Sequence, residues 1–192
     1  MSAVVAFALS AVTHPIHAGL EIAREPTPGS ECAMPTSCET DVANCPIFRT
    51  MSPEDRDAIL LLSDFQTHAH GHTIIRQRDN NPSGLWMLRS GSCEVLANIL
   101  YGGEQQIAFL SPGAVFGELS FFDPGMHSAT VRVVKDAETM HFSIEAFERL
   151  EMNQPLTAYK LLRNLGRIMA QKLRRMDRFT VDMFAYTGKS VQ

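Results

Sequence analysis

The sequence predicts an α+β fold that is mainly β: an antiparallel β-roll of jelly-roll type, entered through a short N-terminal helix and closed by C-terminal helices. Three observations lead there. Runs of β-branched and aromatic residues end in Gly, Pro, Asn or Asp, and Gly71, Gly91 and Gly113 recur at steps of roughly 20 residues. A proline-led, acid-rich segment, "SPEDRDAILLL", precedes these runs. A long stretch with apolar residues three and four apart follows them.

Residues 1–45 read as a flexible arm. Their opening, "AVVAFALSAV" then "THPIHA", has the length of a signal-peptide core but no basic n-region. The readings it leaves are a leader, an amphipathic or disordered extension, or a start placed too early with Met34 or Met51 as the true one. Residues 21–46 are rich in Pro, Ser, Thr and acids without a sustained period, as in a loose linker. Cys32, Cys38 and Cys45 are separated by five and six residues, which is not a zinc-type pair, and with Cys93 they are too few and irregular for a disulfide framework. A redox or iron–sulfur role with Cys93 as fourth ligand is one reading, free thiols the other.

Residues 46–143 form the β-roll with its lead-in helix. Ser52 caps that helix, Pro53 takes the first helical position, and Glu54 and Asp55 suit the positive helix start. The strands lie in "DFQTHAHGHTIIRQ", "LWMLRSGSCEVLANIL", "EQQIAFLSPGAVFGE" and "SATVRVVKDAETMHFS". Residues 144–179 supply the C-terminal helices, the first capped near Ser143 and parted from the second by Pro155. The second carries Leu161, Leu165, Ile168 or Met169, Leu173 and Met176 as an apolar stripe, with Lys160, Arg163, Arg167, Lys172, Arg174, Arg175 and Arg178 on its other face. Residues 180–192 read as a tail.

Composition narrows the function. The chain has 192 residues, 45% of them hydrophobic, enough for one core with appendages. A net charge of −4 gives no overall pull towards nucleic acid. No apolar run reaches the ~18 residues of a membrane span. A soluble, cytoplasmic protein without membrane attachment is expected. There is no G-x-S-x-G elbow, P-loop or paired-carboxylate signature, so no catalytic residues are assigned and the chain is not expected to be an enzyme.

One constellation carries chemistry. In "FGELSFFDPGMHSATVRV" a Gly-Glu turn enters a short helix whose backbone N–H groups suit a phosphate. Gly117 permits close backbone approach, and the Glu118 carboxylate can accept bonds from a ribose hydroxyl. The lead-in helix, Gly71 at the first turn, "LWMLRSGSCEV" and "LSPGAVFGELSFF", in this order and spacing, resemble the cyclic nucleotide-binding domain superfamily of catabolite activators and protein kinase A regulatory subunits. The resemblance runs over residues 46–178. It implies cyclic AMP or cyclic GMP as ligand, no required cofactor, and binding residues Phe116, Gly117, Glu118, Leu119, Ser120, His127, Ser128, Ala129 and Thr130.

The family places an arginine against the cyclic phosphate nine positions after the glutamate; His127 stands there. Imidazole is shorter than a guanidinium, single-pronged and mostly neutral at pH 7, so a weaker or acid-dependent site is expected. Arg132 lies an odd offset further on and is expected to face away. Asp79 stands where the family has a turn glycine and is expected to tolerate the left-handed backbone.

"HAHGH" places His68, His70 and His72 where they share a strand face, but at a surface turn without a companion ligand; no metal site is assigned. The resemblance also implies a dimer helix over residues 156–176. The family's DNA-reading domain, roughly 60 residues, would follow this helix, and only "TVDMFAYTGKSVQ" follows Phe179, so sequence-specific DNA binding is not expected. The expected function is a cyclic nucleotide-binding regulatory or sensor module signalling through its C-terminal helices, to a homodimer interface or a protein partner. The alternatives are a ligand-free interaction protein that keeps the fold, and a cysteine-based redox sensor.

Overall fold

The computed structural model describes residues 45–80, 84–99 and 102–188. The arm through residue 44, with Cys32 and Cys38, lies outside the described residues. Cys45 does not behave as arm: it is buried at 2% exposure, and its thiol donates to the Gly113 carbonyl at 3.6 Å.

A 3₁₀ turn, Pro46–Phe48, leads into helix α1, Pro53–Leu61. Ser52 and Asp55 close a reciprocal capping box at its start: the Ser52 hydroxyl accepts from the Asp55 N–H, and the Asp55 carboxylate accepts from the Ser52 N–H at 2.8 Å. Strands β1 (Asp64–His68), β2 (Thr73–Ile75), β3 (Leu85–Ile99), β4 (Gly103–Leu110), β5 (Val115–Phe116) and β6 (Thr130–Phe142) follow. They form an antiparallel sheet in the order β1-β6-β3-β4, with β2 on β6 and β5 on β3. Each glycine-punctuated run becomes a pair of strands or one long strand, because a turn at Gly71 or Gly113 folds the chain back. Helix α2 (Glu118–Phe122) interrupts the strands, and α3 (Ile144–Asn153) and α4 (Pro155–Gly188) close the chain. The Ser143 hydroxyl caps α3 by accepting from the Ala146 N–H.

The period-two alternation of strands divides the core. Leu85 and Met87 of β3, with Met140 and Phe142 of β6, face a helical layer of Phe48, Ile59, Leu150, Leu161 and Leu165. Trp86 and Leu88, with Val131, Val133 and Ala137, face the interior of the roll with Ile75, Val95, Leu110 and Phe116. Phe116, in the interior layer, and Val115, in the helical one, deliver the chain to the Gly-Glu turn.

Two sequence expectations shift. Helix α4 runs on to Gly188, so residues 180–188 are helix rather than tail; Thr180 accommodates to it by donating its hydroxyl to the Met176 carbonyl at 3.0 Å. The left-handed residue of the 76–79 turn is Arg78, at φ 72°, not Asp79, whose role is to accept a backbone bond from residue 127.

Candidate functional site

Strand β5 runs antiparallel to β3 with Phe116 opposite Trp86, and the chain then turns through Gly117 at φ 81° into α2. Two constraints fix a glycine there. The backbone lies in the left-handed region, and a Cβ would stand 2.5 Å from the Gly84 carbonyl oxygen and 2.9 Å from Trp86 Cδ1. Trp86 is itself clamped between Phe116 and His141, with ring centroids 6.1 and 4.1 Å away. The turn therefore sits on a rigid aromatic stack.

Glu118 opens α2 and is only 2% exposed. One carboxylate oxygen accepts from Lys172 Nζ of α4 at 2.7 Å, and the same ammonium donates to the Val115 carbonyl at 2.9 Å. The other oxygen, Oε2, is buried without a hydrogen-bond partner among the described residues. A buried acceptor left in that state costs about 1–3 kcal/mol, which a donor brought from outside would recover.

His127 is buried at 5% exposure rather than lying on an open loop. Its backbone is fixed by a reciprocal pair of bonds: its N–H donates to the Asp79 carbonyl, and its carbonyl accepts from the Arg78 N–H, both at 2.9 Å. Its Nδ1 shares a proton with the Ser120 hydroxyl at 2.9 Å. Ser120, His127, Ser128 and Lys172 thus form the polar rim of a small cavity, about 30 Å³ in volume, whose walls include Ile75, Val95, Leu110 and Val131.

Of the residues expected at the site, Phe116, Gly117, Leu119, Ser120, His127, Ser128 and Ala129 line this cavity. Glu118 stands beside it, joined to the wall residue Lys172. Thr130 faces elsewhere: its buried hydroxyl accepts from the Gln77 N–H at 3.0 Å and fastens the β2 turn. Arg132 points away, ion-paired to Glu94 and Glu104 at 2.8 and 3.2 Å.

Lys172 is the residue that sequence reasoning misses. Its charge within a basic run assigns it to the outer face, yet it is turned inward with its side chain 15% exposed. The signal that could have found it is positional: it lies seven residues after the buried Leu165, two helical turns along the same stripe. Lys160 is likewise turned inward, onto Asp55.

The other constellations disperse. His68 is buried and bonded to the Thr139 hydroxyl at 2.9 Å, and it stacks on His72 with centroids 5.0 Å apart. Burial first, and then the neighbouring His72, pushes the His68 imidazole below its ordinary value. His70 turns away to the Val134 carbonyl, and no group of three metal-ligating side chains converges among the described residues. Cys45 and Cys93 occupy separate core layers, and desolvation raises each thiol to about 11, so neither offers a thiolate at neutral pH. No helix among the described residues is long and apolar enough to cross a membrane.

Residues 65–154 match the family model described as the cyclic nucleotide-binding domain. The chain is similar to the cyclic AMP receptor protein of Thermus thermophilus, with 32% identity over 132 residues, which is 69% of this chain and 59% of that protein. It is similar to the cAMP-dependent protein kinase regulatory subunit of Colletotrichum orbiculare, with 28% identity over 105 residues, 55% of this chain and 26% of that one. Among solved structures, the catabolite activator protein of Thermus thermophilus superposes with a TM-score of 0.63 at 30% identity, covering 73% of this chain and 63% of the other. The match spans less than two thirds of the length of each of these proteins.

Proposed function

The chain carries a domain of the cyclic nucleotide-binding superfamily, and from that premise we propose that it is a regulatory module binding cyclic AMP or cyclic GMP against residues 117–130. The observation that carries this reading is the Glu118 carboxylate: fully buried, held on one oxygen by Lys172, and unpartnered on the other. A ribose hydroxyl donates to such an oxygen, and the hydroxyl of Ser120, the imidazole of His127 and Ser128 stand nearby for the phosphate.

The cavity of about 30 Å³ is far smaller than the roughly 300–1,000 Å³ of an ordinary ligand pocket. A nucleotide therefore enters only if a wall gives way. Besides the strand walls at Ile75, Val95, Leu110 and Val131, helix α4 reaches the cavity through Lys172, which stays held on Glu118, so occupancy and helix position are linked, and α4 transmits the signal. The distal half of α4 exposes Leu173, Phe179 and Met183, which supports pairing with the same helix of a second copy as the receiver of that signal.

Titration of cyclic AMP and cyclic GMP at pH 6 and pH 7.5, into the wild type and a His127→Arg variant, tests the reading. Wild-type binding should strengthen at pH 6, where an imidazole facing a phosphate gains its proton. The variant should bind about tenfold or more tightly at pH 7.5, with little dependence on pH. Silence of both proteins would defeat the nucleotide reading. It would favour the second one, an interaction protein whose small cavity and internal Lys172–Glu118 pair keep the site closed.

A further inference from the structure

Polar tethers at Lys160 with Thr157, at Asn164 and at Lys172 join α4 to the rest of the described residues, and the last of them ends in the candidate ligand site. Lys160 and Thr157 meet Asp55, Asn164 meets the Ile47 and Arg49 carbonyls, and Lys172 meets Glu118 and the Val115 carbonyl. The first two fasten the helix to the lead-in segment. The third fastens it to the group that the proposed function assigns to the sugar.

The two oxygens of Glu118 are unequal. Oε1 is engaged by the ammonium, while Oε2 is buried and unpartnered among the described residues. Burying a carboxylate at 2% exposure is offset by a paired cation, and a cation held at one oxygen also fixes the rotamer that places the other. An ammonium on a long flexible stem would ordinarily wander; here the Val115 carbonyl holds it as a second acceptor, immediately before the turn it serves. Val115 pairs with Met87 of β3, so the anchor belongs to the sheet and not to a loop.

We propose that Lys172 is the positioning residue for sugar recognition: it fixes the Glu118 carboxylate so that Oε2 accepts a ligand 2'-hydroxyl, and it thereby makes the docking of α4 and the binding of a ribose-bearing ligand one coupled equilibrium. The proposal rests on the reading of the cavity as a nucleotide site. Its ligand class is narrower than that reading requires: a ribonucleotide, selected over its 2'-deoxy counterpart by a carboxylate that α4 controls. The coupling is reciprocal. A ligand that needs Oε2 oriented stabilises the Lys172 contact, and loss of the contact weakens that ligand by the same factor. A residue with a merely structural role would weaken ribose and deoxyribose ligands alike.

The test compares cyclic AMP with 2'-deoxy cyclic AMP in the wild type, Lys172→Met and Lys172→Arg, by calorimetric titration, with hydrogen exchange of the α4 amides in the same samples. The wild type should prefer the ribose form by about tenfold or more, the range of one hydrogen bond to a charged group. Lys172→Met should lose most of that preference, Lys172→Arg should regain part of it, and cyclic AMP should raise α4 protection around residue 172 in the wild type but not in Lys172→Met. Equal weakening of both ligands, or an unchanged preference, overturns the proposal while leaving the nucleotide reading intact. A wild type that binds neither ligand defeats the reading and the proposal together. Lys172→Met leaves Glu118 buried without its cation, so the cycle is completed with Glu118→Gln and the double variant, which carry no such charge. Once Glu118 is replaced, removing Lys172 should change the sugar preference no further; an additional loss would overturn the proposal by showing that Lys172 acts on the ligand by another route.

Discussion

The two halves of α4 are one continuous helix with opposite relations to the rest of the chain. The proximal half, from Pro155 to Lys172, buries Ala158, Leu161 and Leu165 and carries the polar contacts of Lys160, Asn164 and Lys172 to the body. The distal half leaves Leu173, Phe179, Val181, Met183 and Phe184 between 43% and 73% exposed. Its side-chain bond from Thr180 returns to its own backbone. The contrast separates two uses of an apolar stripe. The first is satisfied by this chain's own sheet and lead-in turn; the second is apolar sequence turned largely to solvent. Fold stability therefore resides in the proximal half, and the distal half is the surface that the proposed pairing with a second copy would use.

The tether at Asp55 gives the largest expected effect. Its carboxylate is 6% exposed and receives the Ser52 N–H, the Ser52 and Thr157 hydroxyls and the Lys160 ammonium. Burial alone would raise its pKa, but Lys160, then Thr157 and Ser52, hold it well below the usual carboxylate range. Asp55→Asn leaves Lys160 opposite a neutral group and should cost about 3 kcal/mol at neutral pH, or roughly 6–12 °C in Tm. The sign with pH follows from the depressed value. The stabilisation is complete above the ordinary carboxylate pKa of about 4 and is lost as pH falls through the folded-state value. Urea melts at pH 7, 5 and 3 should thus show the gap between wild type and variant narrowing towards acid; a constant gap would detach Asp55 from the ion pair. The next effect in size is at Asn164, 1% exposed, whose amide donates to the Ile47 and Arg49 carbonyls. Asn164→Ala strands two acceptors and should cost about 1–3 kcal/mol. Because buried Cys45 begins the same turn, alkylation of that thiol should quicken in the variant.

What is legible in the sequence follows the same division. Caps at Ser52 and Ser143, the break at Pro155 and the glycine-cut strands are local signals, each set by the backbone needs of a few neighbouring residues, and the structure places elements on all of them. The Gly117–Glu118 turn is legible for that reason too. The inward turn of Lys160 and Lys172 is not, because a lysine within a basic run reads as solvated face until a buried carboxylate distant in sequence is known to meet it. Asp55 lies 105 residues from Lys160, and Glu118 lies 54 from Lys172. Likewise the burial of His127 is not legible until the Arg78–Asp79 turn, about 50 positions earlier, is seen to clasp its backbone on both sides. Long-range polar pairs leave no period in a sequence, and these pairs make the site.

The smallest expected effect on stability falls in the distal half of α4, and there its smallness is the point. Met169, Met176 and Met183 recur every seven residues, as do Leu165, Lys172 and Phe179, the spacing of a two-stranded coiled-coil seam. If that seam serves a second copy, Phe179→Glu with Met183→Glu changes two side chains that are 43% and 51% exposed in the single chain. The unfolding midpoint at low concentration should then stay within about 0.5 kcal/mol of the wild type, the usual range for surface substitutions. Sedimentation at higher concentration should separate the two proteins: the wild type should weigh as a dimer and the variant as a monomer, because four glutamates would be brought into one apolar seam. A wild type that sediments as a monomer at every concentration would leave the distal stripe without a second copy to cover it. A variant that loses several kcal/mol as a monomer would erase the distinction between the two halves, showing that the distal residues serve the fold after all.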